Sequence, residues 1–208
     1  MDVITAIEQQ KRRGNRRSIY VNGEFVAGVG EEVVVDLGLK TGQEVDGERL
    51  AEVLRAEEVR SAREAALTLL DYRSRTGKEL ERRLLQKGYP EDVVSAVIEQ
   101  LGNIDFVNDG RFAADWVASR IVNRPIGRSQ MKWELRRKGV APELVEEALE
   151  QVDEEKEFDM ALDLAVKKLG GKEINDPETK RKLAGFLQRR GFHWEIVSRV
   201  IDRLLPED

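Results

Sequence analysis

The sequence predicts a mainly α-helical fold: three tandem three-helix repeats of helix-turn-helix character behind a small N-terminal domain that contains a β-hairpin. Three observations predict it. Gly88, Gly139 and Gly191 recur at spacings of 51 and 52 residues, each inside the same apolar pattern. Alternation of β-branched with polar residues is confined to the first 45 residues. From Gly47 onward the apolar period is helical almost without interruption.

Taken in order, residues 3–8 fit a strand. Residues 17–29 fit a hairpin, because Asn22-Gly23 stands between two alternating runs and supplies the positive φ values of a type I′ turn. Residues 31–37 fit two descriptions. Val33, Val34 and Val35 favour a strand, while the Leu37/Leu39 spacing before Gly42 also suits a short helix.

The repeats align on their glycines, each preceded by a cation: Lys87, Lys138 or Arg190. Eight residues before stand Leu80, Met131 and Leu183, and four before stand Leu84, Leu135 and Leu187. After the glycine come Val93-Val94, Leu144-Val145 and Ile196-Val197, then Val97-Ile98, Ala148-Leu149 and Val200-Ile201. Apolar pairs at helical period on both sides of a glycine describe two helices joined through a left-handed residue. A further helix precedes each pair. The first covers 61–73, with Ser61 and Glu64 in a capping-box pattern. The second covers 110–123, with Asp109 as N-cap and Phe112, Ala113, Trp116 and Val117 inward, and the third covers 154–169. Thr76 and Glu79 form a second capping box, and Asp176-Pro177 is an N-cap followed by proline at the first helical position. The division expected is 1–60 for the β-containing domain and its linking helix, then 61–102, 103–153 and 154–208 for the repeats. Such modules touch mainly their neighbours, so the expected molecule is elongated and monomeric.

Composition narrows the function. No cysteine is present, which removes disulfides and thiolate metal sites. No apolar run approaches the roughly 18 residues of a membrane span, and the first ten residues contain no signal-peptide core. A cytoplasmic protein is expected. The net charge is −5, unevenly spread. Residues 61–140 hold 15 basic and 11 acidic side chains, while residues 141–208 hold 11 and 17. A basic middle and an acidic last third suit a protein partner with a charged groove, and the last third is expected to repel phosphate.

Two stretches resemble the central motifs of the RecX family: FVNDGRFAADWVASR at 106–120 and RPIGRSQMKWELRRKGV at 124–140. The first repeat, 74–101, with Glu79-Leu80 and Lys87-Gly88-Tyr89, is similar as well, and the segment 38–43 is similar to one in long-form members. The resemblance implies a regulator that lies along the filament of the RecA recombinase and blocks filament growth, ATP hydrolysis and strand exchange. It also implies DNA contact in some members. The alternative is an autonomous DNA-binding helix-turn-helix protein.

The candidate partner surface is the basic cluster Arg120, Arg124, Arg128, Lys132, Arg136, Arg137 and Lys138, with Arg82, Arg83 and Lys87 at matching places in the first repeat. Arg guanidinium forks suit carboxylate or phosphate. Trp133 lies six residues before Gly139, between the core positions at eight and four, and so points away from Met131 and Leu135. A tryptophan there, beside Lys132 and Arg136, suits a partner contact. Trp116 is expected in the core, and Trp194 fits either role.

Nothing in the sequence suggests catalysis, a cofactor or a metal. Asp105 and Asp109 are an i, i+4 carboxylate pair, but Asp109 is better explained as an N-cap with Arg111 as its counter-charge, and His193 is the single histidine, with no nucleophile motif to support a triad. There is no phosphate-binding glycine loop and no His–Glu metal spacing.

Overall fold

A computed structural model describes residues 1–10, 13–174 and 176–205, and of residues 13 and 14 the backbone alone. The chain forms two compact units, Met1–Ser74 with Leu80–Phe106, and Arg75–Glu79 with Val107–Asp208.

The first unit opens with an antiparallel sheet of order β3-β2-β1-β4: β1 (Asp2–Gln10), β2 (Arg13–Val21), β3 (Glu24–Gly30) and β4 (Glu44–Val45). Asn22 (φ 51°) and Gly23 (φ 85°) turn β2 into β3 with both central residues at positive φ, as expected. Ile7 faces Ile19 across β1 and β2, and Ile19 faces Ala27 across β2 and β3. The ambiguous segment is a helix, α1 (Glu31–Asp36). Gly30 ends the strand and serves as N-cap, Glu31 and Glu32 place negative charge at the positive end of the helix, and Val33 enters the core.

Helix α2 (Gly47–Tyr72) is continuous over 26 residues. Its N-cap is Asp46, whose carboxylate accepts from the Arg49 amide at 3.0 Å. The expected helix start at Ser61 is therefore corrected. Ser61 lies mid-helix, and its hydroxyl shares a 3.0 Å hydrogen bond with the Tyr89 hydroxyl instead of capping. The capping-box spacing is present, but the apolar face simply runs on through it. Leu50 and Leu54 pack on the sheet beside Ile4, Ile19 and Val29. Ala62 and Ala66, further along α2, are buried where the helix packs on α4 (Glu91–Asn103). Helix α3 (Gly77–Lys87) precedes α4, and Gly88 between them has φ 103°.

A buried ion pair links sheet and helix in this unit. Arg16 Nη2 meets Glu58 Oε1 at 2.6 Å, with both side chains almost wholly covered. Burial pushes the Glu58 carboxyl up, against the pull of Arg16.

The second unit holds α5 (Asp109–Asn123), α6 (Arg128–Arg137), α7 (Pro142–Leu149), α8 (Glu154–Leu169), α9 (Pro177–Arg189) and α10 (Trp194–Leu204) around one continuous core. Met131, Leu135, Val145, Leu149, Leu183, Leu187, Val197 and Ile201 are all buried there, as their register to Gly139 and Gly191 predicts. Burying one such side chain is worth about 1.5–3 kcal/mol. The N-cap of α5 is Asn108, which accepts from the Arg111 amide at 2.8 Å. This corrects the assignment of Asp109, which stands one residue inside the helix and accepts from the Gly77 amide at 2.8 Å. Both residue types cap well, so the sequence alone does not separate them. Asp176 caps α9 as expected, accepting from the Thr179 amide at 2.8 Å and from the Thr179 hydroxyl at 2.6 Å.

The same junction occurs twice in this unit. The residue 12 before one turn glycine donates to the carbonyl just before the next turn glycine. The Thr76 hydroxyl donates to the Lys138 carbonyl at 2.6 Å, and the Gly127 amide donates to the Arg190 carbonyl at 2.8 Å. The fit is close: a Cβ on Gly127 would fall on the Gly191 carbonyl, and one on Gly139 would fall on the Lys78 side chain. Gly139 and Gly191, at φ 88° and 85°, also use the left-handed region.

Candidate partner-binding surface

Helix α6 carries the candidate face. Met131 and Leu135 point into the core. Trp133, two residues from each and so about 200° round the helix, is 53% exposed. Arg137, one turn later, lays its guanidinium over the Trp133 ring, 5.1 Å from the centroid. Pairing at i, i+4 explains this contact, because residues so spaced lie on one face. The result is an exposed aromatic plate backed by a cation.

The seven cations of the basic cluster divide into two groups. Arg128 is turned inward. Its guanidinium donates to the Leu149 carbonyl at 2.9 Å and to the Val152 carbonyl, closing the end of α7, while its amide donates to Glu157 Oε1 at 2.8 Å. Arg120 is half-buried, bound to Glu134 at 3.0 Å and stacked 4.5 Å over the Trp116 ring. Lys138 pairs with Glu79 at 3.0 Å and lies over Phe112. Lys132 pairs with Glu146. These four make internal contacts that a partner would have to displace.

Arg124, Arg136 and Arg137 are exposed. Arg136 stands 3.9 Å from Glu146, at the limit of an ion pair. Arg124 follows α5 and lies within electrostatic reach of Glu134. The structure thus brings Trp133, Arg136 and Arg137 together on one helix. Arg82, Arg83 and Lys87 are exposed on α3, in the first compact unit, where Arg83 makes only a long 3.4 Å contact to Gln86.

Three carboxylates shape this charge pattern, and sequence reasoning did not single them out. Burial pushes Glu134 up, but hydrogen bonds from Gln130 and Arg120 outweigh it and hold the carboxyl below its ordinary value. The Lys132 hydrogen bond holds Glu146 down in the same way. Glu157 is buried, and its carboxyl is pushed up by desolvation, partly offset by the Arg128 amide. The signal for Glu157 was its helical spacing to Met160, Ala161 and Ala165 on the buried stripe of α8.

Trp116 is half-buried and packs against the core, as expected, and Trp194 is 57% exposed at the start of α10. His193 Nε2 and Ser129 Oγ lie 2.6 Å apart, at the starts of α10 and α6. Among the described residues, no group of three His, Cys, Asp or Glu is arranged to hold a metal ion, and no helix is long and apolar enough to cross a membrane.

Comparison with known proteins covers most of the chain. A family model described as the regulatory protein RecX N-terminal domain matches residues 2–46. The RecX first, second and third three-helix domains match 62–101, 108–149 and 154–201. The regulatory protein RecX of Clostridium beijerinckii is 31% identical over 211 residues, covering 100% of this chain and 98% of that one. Its counterpart in Clostridium perfringens is 32% identical over 207 residues, covering 98% and 97%. A crystal structure of regulatory protein RecX superposes with a TM-score of 0.69 at 26% identity, covering 97% of this chain and all of the other. The crystal structure of RecX from Lactobacillus salivarius gives 0.65 at 26% identity, over 72% of this chain.

Proposed function

Because the chain belongs to the RecX family of regulatory proteins, we propose that it regulates the RecA recombinase by binding the RecA–DNA filament and restraining its growth, ATP hydrolysis and strand exchange. The observation that carries the contact is the exposed Trp133 plate with Arg137 over it and Arg136 beside it. Trp and Arg dominate the energetic centres of protein interfaces, and a ring already held by a cation loses little freedom on docking. The first repeat adds Arg82, Arg83 and Lys87 to the surface available for the filament. In this reading the protein is a cytoplasmic monomer that acts by occupancy and catalyses nothing itself.

The test is DNA-stimulated ATP hydrolysis by RecA, titrated with this protein while DNA is in excess. Inhibition at substoichiometric protein supports filament binding, because one bound regulator then silences many recombinase subunits. Undiminished hydrolysis at equimolar protein overturns it.

A further inference from the structure

Glu58 interrupts the buried stripe of α2. Leu50, Leu54, Glu58, Ala62 and Ala66 follow one another at four-residue spacing, and all five are buried. A carboxylate at such a position is costly unless its oxygens are hydrogen-bonded. Arg16 answers for one of them, with Nη2 at 2.6 Å from Oε1. Oε2 is buried and has no hydrogen-bond partner among the described residues. Arg16 is held where it is: the same Nη2 also donates to the Gly28 carbonyl, and the guanidinium lies over the Tyr89 ring, 5.6 Å from the centroid. Desolvation outweighs the pull of Arg16 and raises the Glu58 carboxyl, so one cation leaves the charge of this group incompletely stabilised.

Glu58 lines a hollow of about 230 Å³ between β3, α2 and the start of α4, all within the first compact unit. Val26, Ala27, Leu54 and Val93 make its walls apolar, and Phe25, 59% exposed, carries them to the surface. An exposed ion pair, Arg55 with Asp92, also lines it. The charged groups that line the hollow or act on Glu58 are Arg16 and Arg55 against Glu32, Glu58 and Asp92, a net of −1. The hollow thus has one orphan acceptor, apolar walls and a deficit of one positive charge.

We propose that this hollow binds a small primary amine, with its ammonium on Glu58 Oε2 and its apolar body on Val26, Leu54 and Val93. An ammonium supplies both what Oε2 lacks, a donor, and what the surroundings lack, a charge. A cavity of about 150 Å³ holds benzene, so this one has room for a ring or branched alkyl group on a short chain. One orphan oxygen among apolar walls fits one ammonium on a hydrocarbon body, not a chain of ammonium groups. A single water needs two to four polar partners and would leave the apolar surface uncovered. The inference does not rest on the RecA contact, and its test contains no RecA, so the two readings fail separately.

The experiment is an NMR titration of the isotope-labelled, full-length protein with 2-phenylethylamine, set against 2-phenylethanol, which has the same shape and no charge. The amine shifts the backbone amides of residues 25–28, 54–58 and 91–93 saturably. Its Kd is lower than that of the alcohol by about tenfold or more, the gain expected of a hydrogen bond to a charged group. Glu58→Gln keeps the outline of the site and brings the two probes to equal affinity. Ala51→Leu gives a second answer if the loss of charge beside Arg16 unfolds that variant: it fills the hollow from α2, leaves the Arg16–Glu58 pair in place and loses both probes. Equal affinity of the two probes for the wild type, no saturable shift, or shifts confined to other segments overturns the proposal. Phenylacetate binding as tightly as the amine would assign the hollow to Arg55 and an anion. An acetylated extended peptide with one lysine that binds more tightly than the amine would assign it to a protein segment. Either result also overturns the proposal.

Discussion

The Gly127 amide donates to the Arg190 carbonyl at 2.8 Å, and the space around Gly127 leaves no room for even one further carbon. Backbone, not a flexible side chain, blocks that space, so relief requires the turn at Gly191 to move. Gly127→Ala is expected to destabilise the protein by about 3 kcal/mol, the upper range for overpacking. Urea unfolding measures this. A cost under about 0.5 kcal/mol, typical of surface substitutions, would show that the junction yields freely.

Thr76 serves both sides of the corresponding junction. Its hydroxyl donates to the Lys138 carbonyl at 2.6 Å and accepts from the Glu79 amide at 3.1 Å. Thr76→Val keeps the shape and removes both bonds, and the buried carbonyl and amide lose their partner. The expected loss is about 1–2 kcal/mol, read from the same unfolding curves. Thr76→Ser should recover most of it.

Arg128 and Arg136 sit on the same helix and should behave in opposite ways. Arg128→Ala uncovers the Leu149 and Val152 carbonyls and is expected to cost about 2 kcal/mol of stability. Arg136→Ala together with Trp133→Ala should leave stability within about 0.5 kcal/mol and weaken inhibition of RecA ATP hydrolysis by about tenfold or more, the loss expected for hot-spot truncation. A stable double variant that inhibits like wild type would remove α6 from the contact.

Burial raises the Glu157 carboxyl, with the Arg128 amide opposing. Folding therefore favours its protonated form. That contribution is fully present below the ordinary carboxylate value and is lost as pH rises through the raised one. Glu157→Gln keeps an acceptor for the Arg128 amide and removes the buried charge. Its Tm should match the wild type's in acid and exceed it increasingly as pH rises towards neutrality. Melting at a series of pH values decides this, and a gap that narrows with rising pH contradicts the assignment.

Much of the fold was legible because glycine and apolar spacing report directly on geometry. The left-handed glycines at 88, 139 and 191 and the Asn22-Gly23 turn follow from local sterics. The helical state of residues 31–36 was not legible. Three consecutive valines favour a strand locally, and the choice was made by Val33 entering a core that exists only once the sheet is formed. Ser61 shows a related limit, since a capping pattern marks a helix start only where the apolar stripe also begins. On the candidate surface, exposure of Trp133 followed from counting residues round a helix. The division of the neighbouring arginines did not, because Arg128 meets carbonyls 21 and 24 residues away, and only the fold determines that pairing.

The cap on α9 has a consequence for how such an array can lengthen. Counting 12 residues back from Gly191 reaches Thr179, which occupies the place held by Thr76 and Gly127 in the earlier repeats. In those two, the residue offers its donor to the following turn. Here the Thr179 amide and hydroxyl are both committed to Asp176, and α9 starts one turn early to make this possible. A copy of the module placed after α10 would meet an occupied socket. The third module thus lacks the free donor that the first two present, and α9 would have to give up its cap before a further module could dock on it in the same way.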